Sequence, residues 1–372
     1  MSRLLSTNSA AAALVAVTAL ACADPSAPAL DHSPSLPSAR SDDGPTLRAQ
    51  HSGTTNRLQA VSPVDADVVW ASGVGGTYVV TTDGGRNWRA GVVPGAELLQ
   101  FRDVHAVSAE VAYLLAAGVG SDSRIYKTVD GGENWTLQFT APQPNAFYDC
   151  FDFWTPDRGL VMGDALHGRL PVLRTRSGGE RWGRIGGKLP AAQPGEAAFA
   201  ASGTCVATHG TGHAWIATGA AAKARILATT DGGNTWSSYD TPLPQGTALS
   251  GLFTVAFRDE RHGILAGGDL DAPDALSDNV AVSRDGGKTW KLVDGTPFPG
   301  AAYGLSYAGA GPRGEHARTV VITGPGGAAW TRNEGRKWHL LPDVRDYWAV
   351  AFADPRHGWL VGTEGRILKI RF

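Results

Sequence analysis

Four carboxylates, Asp103, Asp149, Asp164 and Glu196, stand with Tyr148, Arg102, His167 and Arg169 as the residue types from which a glycoside hydrolase could be assembled. Most such enzymes need two carboxyls about 5–10 Å apart, one acting as acid and the other as nucleophile or base. Sialidase chemistry instead uses a tyrosine nucleophile assisted by a glutamate, with arginines for the substrate carboxylate. Asp149, Glu196 and Tyr148 are the candidates for this catalytic work. The same residues, with Asp269 and Trp348, suit equally well a rim that binds a polar ligand, a peptide or a sugar without chemistry. Tyr148, Trp348, Arg102 and Arg169 would then be its anchors. Spread from position 102 to 348, they meet only if the fold gathers distant segments at one place.

Other chemistry is poorly supported. His209 and His213 are separated by Gly-Thr-Gly, which offers no helix face and no third ligand, so a turn is the simpler account and no metal is expected. Residues 269–278 (DLDAPDALSD) concentrate acidic groups but lack the central Gly and terminal Glu of a calcium loop, and read as a solvated acidic loop. No glycine-rich nucleotide loop, G-x-S-x-G elbow or C-x-x-C occurs, so no cofactor is expected. With 33 Lys+Arg against 35 Asp+Glu, the chain has no electrostatic footprint for nucleic acid or anionic lipid.

The elements that must position these residues are strands. Forty-eight Gly and 22 Pro among 372 residues imply frequent turns, and long helices are not expected. The chain is also repetitive. The box at 81–88 (TTDGGRNW) recurs at 128–135, 229–236 and 283–290, with degenerate copies at 175–182, where Ser177 replaces Asp, and at 331–338, where Asn333 and Glu334 intrude. Its tryptophans, Trp88, Trp135, Trp182, Trp236, Trp290 and Trp338, recur every 47 to 54 residues, the length of a four-stranded propeller blade. In each box the Asp (Asp83, Asp130, Asp231 and Asp285) can accept bonds from the turn's own N–H groups. The Gly pair supplies positive φ and the Trp packs on the blade.

A second motif precedes most boxes by about twenty residues: 65–73, 110–118, 157–163, 212–219, 261–267 and, at the end of the chain, 356–362. These read as each blade's second strand, bounded by Gly. Inner strands are expected at 58–64, 101–107, 148–154, 252–257, 303–307 and 347–352. His262 and His357 hold equivalent turn positions and read as repeat structure. Residues 347–372 supply only three strands, so a last blade needs residues 47–53 as its outer strand, which would close the ring. The expectation is all-β: a single seven-bladed β-propeller of four-stranded blades over 47–372. Function should sit on the rim opposite the boxes.

The boxes resemble the Asp-box (BNR) repeat, S/T-x-D-x-G-x-x-W, found in sialidases, sortilin-type receptors, two-domain xyloglucanases and photosystem II stability/assembly factors. The tail HGWLVGTEGRILK and the strand WAVAFAD make the chain most similar to the last of these families over most of residues 50–372. That resemblance implies a non-enzymatic assembly factor holding another protein, and it leaves the client open. Arg169-Leu170-Pro171 resembles the Arg-Ile-Pro signature of sialidases, but in that family it precedes the first box, whereas here it lies before the third. Xyloglucanases use two propellers and this chain encodes one. A protein partner is therefore the expected ligand, with a glycan and a glycosidase as the alternative.

Residues 1–21 carry Arg3, an apolar stretch over 10–20 and small residues before Cys22, as a secretory signal does. The segment also resembles a bacterial lipoprotein signal, with Cys22 the lipidated first residue. Residues 22–46 read as a Pro/Ser/Ala-rich stalk. The expectation is export to the periplasm or cell surface at the bacterial envelope, touching membrane only through such an anchor. In that oxidising setting Cys150 and Cys205 either pair as a disulfide or remain two buried thiols.

Overall fold

A computed structural model describes residues 44–185, 188–309 and 316–372; the signal segment, Cys22 and nearly all of the stalk lie outside the described residues. The described residues form seven four-stranded antiparallel sheets. In chain order, blades 1 to 6 span residues 58–92, 101–140, 148–184, 206–240, 250–292 and 304–340. Blade 7 combines 347–371 with the strand Thr46–His51. Each inner strand packs beside the next, and the inner strand of blade 7 packs against that of blade 1, which closes the ring.

The closure is a full ladder from Thr46↔Arg371 to His51↔Arg366. Pairing the two ends of the chain in one sheet leaves no open edge at the junction. Burial grades outward within each blade. Second strands such as Val69–Gly73, Ala112–Ala116 and His357–Gly362 are buried almost throughout, whereas the outer strands Arg89–Val92 and Ser237–Asp240 are mostly exposed. Sheets stacked face to face bury both faces of their inner strands, hence the near-continuous apolar runs. The core therefore lies between blades: Ala60, Trp70 and Tyr78 of blade 1, for example, pack on Phe101, Val104 and Leu114 of blade 2.

Two strands escape the sequence pattern. The inner strand of blade 4 is Val206–His209, a short segment that follows a long coil and carries only one large apolar residue. The second strand of blade 6 is Val320–Gly324, apolar but lacking the turn motif that precedes its equivalents. His209 pairs with His213 across a tight hairpin, and His262 and His357 each bond a neighbouring Asp, Asp259 and Asp354.

The Asp boxes turn the third strand into the outer one. In blade 1, Asn87 N–H donates to Asp83 Oδ1 at 2.9 Å and Gly85 N–H to Thr81 Oγ1 at 3.0 Å. Bonds from Asn87 hold the Asp83 carboxyl down at about 2. Ser177 and Asn333 still accept the equivalent bonds, from Arg181 N–H at 3.1 Å and Lys337 N–H at 3.0 Å. Each box also receives the preceding blade. Lys369 donates to Gly84 O, Arg89 to Gly131 O, Lys127 to Gly178 O and Arg174 to Gly232 O. In the sixth box Glu334 replaces the glycine at φ 56, and its own carboxylate takes Arg258 of blade 5 at 2.8 Å. The boxes thus fasten blade to blade at one rim.

Candidate binding site at the channel mouth

The opposite rim is built by bulges. Five inner strands slip register at the same place: Leu58/Ala60, Phe101/Asp103, Tyr148/Cys150, Leu252/Thr254 and Tyr347/Ala349. One extra residue per strand re-aims a side chain. Those residues are Gln59, Arg102, Asp149, Phe253 and Trp348. The bulge also brings the inner backbone onto the end of the second strand. A Cβ at Gly73 would lie 1.9 Å from Arg57 O, and one at Gly362 2.1 Å from Asp346 O, so glycine ends these strands. Because Pro63 pairs with Val69 and Val69 with Thr81, the boxes lie at the far end of the same strands.

Residues 198–204 lie across the channel axis. Ala200 O accepts from Arg102 of blade 2 at 3.4 Å, and Ala198 N–H donates to Asp164, which follows the second strand of blade 3. Phe199 stacks on Phe253 of blade 5, with centroids 4.2 Å apart, and Ser202 Oγ donates to Tyr303 O ahead of blade 6 at 2.6 Å. A segment that touches blades 2, 3, 5 and 6 must plug the channel. Asp164 Oδ1 accepts Ala198 N–H at 3.2 Å, and Gly203 sits so near Asp103 that a Cβ would fall 2.3 Å from its carboxyl. The disulfide Cys150–Cys205 ties the end of the plug to the strand that carries Asp149.

An arc of rings starts from the plug. Phe199 stacks on Phe253, Phe253 on Tyr303 at 5.6 Å, and Tyr303 meets Trp348 edge-on at 4.9 Å. The Arg57 guanidinium then lies 4.5 Å over the Trp348 ring. Arg102 follows, bonded to Gln100 Oε1 at 2.8 and 3.1 Å. Burial lowers the pKa of both arginines, and the charge of Arg57 lowers that of Arg102 further. The carboxyls behind them move the other way. Burial pushes Asp103 and Asp149 well up, and burial raises Asp164 to about 6. The neighbouring Asp164 raises Asp149 further, and Asp149 Oδ2 is buried without a hydrogen-bond partner among the described residues.

Of the residues singled out in the sequence, Arg102, Asp103, Asp149, Asp164 and Trp348 meet at this mouth. Two others require correction. Tyr148 is buried between blades 2 and 3, its ring edge-on to Phe139, because it precedes the bulge and faces the core. Glu196 is 1% exposed and held by Arg225, Thr218 and the Gln193 N–H, so no substrate reaches it. His167 and Arg169 are exposed on the blade 3 turn, where Arg169 lines a separate cleft of about 460 Å³ with Arg184 and Lys188. Asp269 borders a smaller cleft beside Tyr303. Arg57, Gln100, Phe199, Phe253 and Tyr303 were not anticipated. Aligning the inner strands (LQA, FRD, YDC, LFT and YWA) would have placed Phe253 in register with Arg102 and Trp348.

A family model, the BNR/Asp-box repeat, matches residues 281–292, the fifth box. No curated protein sequence matches the chain. Among solved structures, YCF48 bound to D1 peptide is similar, with a TM-score of 0.62 and 16% identity over 88% of this chain and 97% of that one. YCF48 from Cyanidioschyzon merolae gives 0.61 and 15% over 87% and 98%. The GH74 enzyme of Niastella koreensis gives 0.58 and 14% over 87% of this chain and 53% of the enzyme, so this chain spans about half of it. At these identities the likeness is one of fold: the chain is a seven-bladed Asp-box propeller.

Proposed function

We propose that this protein is a non-catalytic, exported binding module that holds a partner protein on its channel mouth at the bacterial envelope, in the manner of an assembly factor. The observation that carries this reading is the division of labour around the plug. The aromatic arc and two guanidinium groups border the mouth, whereas the carboxyls a glycosidase would need are engaged in holding the chain. Glu196 is locked on Arg225, Asp103 accepts the Phe151 N–H of blade 3, and Asp164 accepts the Ala198 N–H of the plug. A rigid ring with aromatic and Arg anchors at the centre of one face suits protein recognition. The resemblance to photosystem II assembly factors supports it, and so does the fold shared with YCF48, which has been solved with a D1 peptide bound. Export rests on the sequence of residues 1–22.

The test is retention of partners from envelope extracts by the full chain, beside a variant with Arg57, Arg102 and Tyr303 changed to Ala. A defined protein kept by the first and lost by the second is the expected result. The glycosidase alternative draws on the Asp149–Asp164 pair and the GH74 fold. Turnover on a glycan panel that Asp149→Asn abolishes, with no protein retained, would replace the binding reading.

A further inference from the structure

Charge is close to balanced over the whole chain, yet on the rim that carries the Asp boxes it is divided. In the turns and boxes of blades 1 to 4 acids predominate, and Asp65, Asp67, Glu110, Glu133, Asp157 and Asp231 stand exposed. Blades 5 to 7 reverse the sign. Arg284 and Lys288 of the fifth box, Arg336 and Lys337 of the sixth, Arg318, and Arg356 in the turn of blade 7 are all exposed. Backbone bonds hold the last two on the same rim: Glu334 N–H in the sixth box donates to Arg318 O at 3.2 Å, and Phe372 N–H at the end of the last strand donates to Pro355 O at 2.9 Å.

Most acids of this cationic sector are already engaged. Asp259 holds Arg258 and His262, Asp354 holds His357, Glu334 takes Arg258, and Asp285 accepts the N–H groups of its own box. Among the described residues none of the six cations forms an ion pair. The chain also enters the ring here, because Thr46 pairs with Arg371 at the box end of blade 7. Arg48 and Arg371, both exposed, add to the charge: burial first, and then their charges, lower the pKa of Lys369 beside them. The lipid anchor expected at Cys22 would therefore join the ring on this side. The exposed large apolar side chains among the described residues are all Val and Leu, with no aromatic ring for a base to stack on. Point charges spread over the turn tips of three blades suit phosphates lying on a plane.

We infer that the box rim of blades 5 to 7 docks on an anionic lipid surface, with Arg284, Lys288, Arg318, Arg336, Lys337 and Arg356 set against its phosphate headgroups. The mouth lies at the other end of the same strands, so the docked ring presents it away from that surface. This goes beyond the binding reading above and uses a different face. Lys288 and Lys337 serve their boxes through backbone N–H groups, at 3.1 and 3.0 Å, which leaves their side chains to the lipid. Near an anionic bilayer each Lys or Arg contributes about fivefold in affinity. The attraction falls off within a Debye length, about 10 Å at 0.1 M salt.

The test is flotation of the full chain, carrying Cys22→Ser so that no acyl chain contributes, with vesicles of phosphatidylcholine alone or mixed with phosphatidylglycerol. The mixed vesicles should bind at least about tenfold tighter at 0.1 M salt, and the preference should fade at about 1 M. Arg336→Gln/Lys337→Gln, in the sixth box, should lose at least about tenfold of that binding, and so should Arg284→Gln/Lys288→Gln in the fifth. Arg176→Gln/Arg181→Gln removes the same charge from the third box, in the acidic sector, and should stay within about twofold of the parent chain. Melting curves confirm that each variant is folded. Equal binding to both kinds of vesicle, or equal losses from the third and sixth boxes, overturns the assignment. If RNA or heparin binds more tightly than the mixed vesicles, and that binding is the one lost with Arg336 and Lys337, the sector is a site for a soluble polyanion and the lipid assignment falls.

Discussion

Glu196→Gln separates a structural from a catalytic role at the residue that most resembled a catalytic acid. Glu196 Oε1 accepts Arg225 Nε at 2.7 Å and Thr218 Oγ1 at 2.8 Å, while Oε2 accepts Arg225 Nη2 at 2.7 Å and Gln193 N–H at 2.9 Å. Glu196 is 1% exposed and Arg225 8%. Removing one partner of such a buried pair leaves the other charged and unsolvated, at a cost of about 3–5 kcal/mol. In a domain of this size each kcal/mol moves Tm by about 2 °C, so a fall of at least about 6 °C is expected. Arg225 Nη2 also holds Ala191 O at 2.7 Å, and the loop it anchors leads directly into the plug, so mouth binding should weaken as well. The double variant Glu196→Leu/Arg225→Leu should recover much of the loss, because apolar groups of similar volume replace a pair whose desolvation is unfavourable. The assay is thermal melting at pH 7 of the wild type, Glu196→Gln and the double variant. A Glu196→Gln protein that melts with the wild type but has lost a glycan-hydrolysing activity would refute the reasoning.

Other outcomes follow from the same geometry. Asp164 keeps its proton up to about 6 when folded, above its ordinary value of 3.8, so between those pH values the folded state binds more protons than the unfolded one. Stability should therefore fall as pH rises through that window, and Asp164→Asn should flatten the slope and raise Tm mainly above pH 6, as pH-dependent melting would show. Cys150→Ser or treatment with reductant opens a loop of 55 residues, which loop-closure entropy sets at about 4 kcal/mol, and should loosen the plug enough for hydrogen exchange at 198–204 to rise. Asp285→Ala should cost about 1–2 kcal/mol, the scale of a lost turn cap, and leave binding at the mouth unchanged because its box lies on the other rim. Glu334→Gly removes a non-glycine φ of 56° but breaks the Arg258 contact, so denaturant melts should show a net loss of about 1–2 kcal/mol although the box becomes more regular.

The blades were legible because their signal is local. Within eight residues an Asp box contains its own acceptors, donors and positive-φ glycines, so Asp83 and Asn87 need nothing distant to make the turn. The interval between boxes fixes the strand count, and the shortage of one strand at residues 347–372 is itself enough to call for 47–53 as the closing strand. Where local signal was thin, at Val206–His209 and Val320–Gly324, strands went unread although the ring required them.

The mouth is different in kind. Arg102, Asp149 and Trp348 were chosen for residue type and place in the blade, and so were Tyr148 and Glu196, which the same criteria could not distinguish. Tyr148 and Asp149 are neighbours in the chain, yet one faces the core and the other the channel, because a single extra residue in the ladder decides direction. Arg57, Phe199, Phe253 and Tyr303 come from four segments nearly 250 positions apart. They form one arc only because the ring closes and residues 198–204 cross its axis. The sequence by itself determined the turns, their period and hence the propeller, since these depend on hydrogen bonds between near neighbours. Which polar groups surround the mouth, which are locked inside and which carboxyls are pushed up by burial was decided only by tertiary structure, since burial and charge at a point depend on everything packed around it.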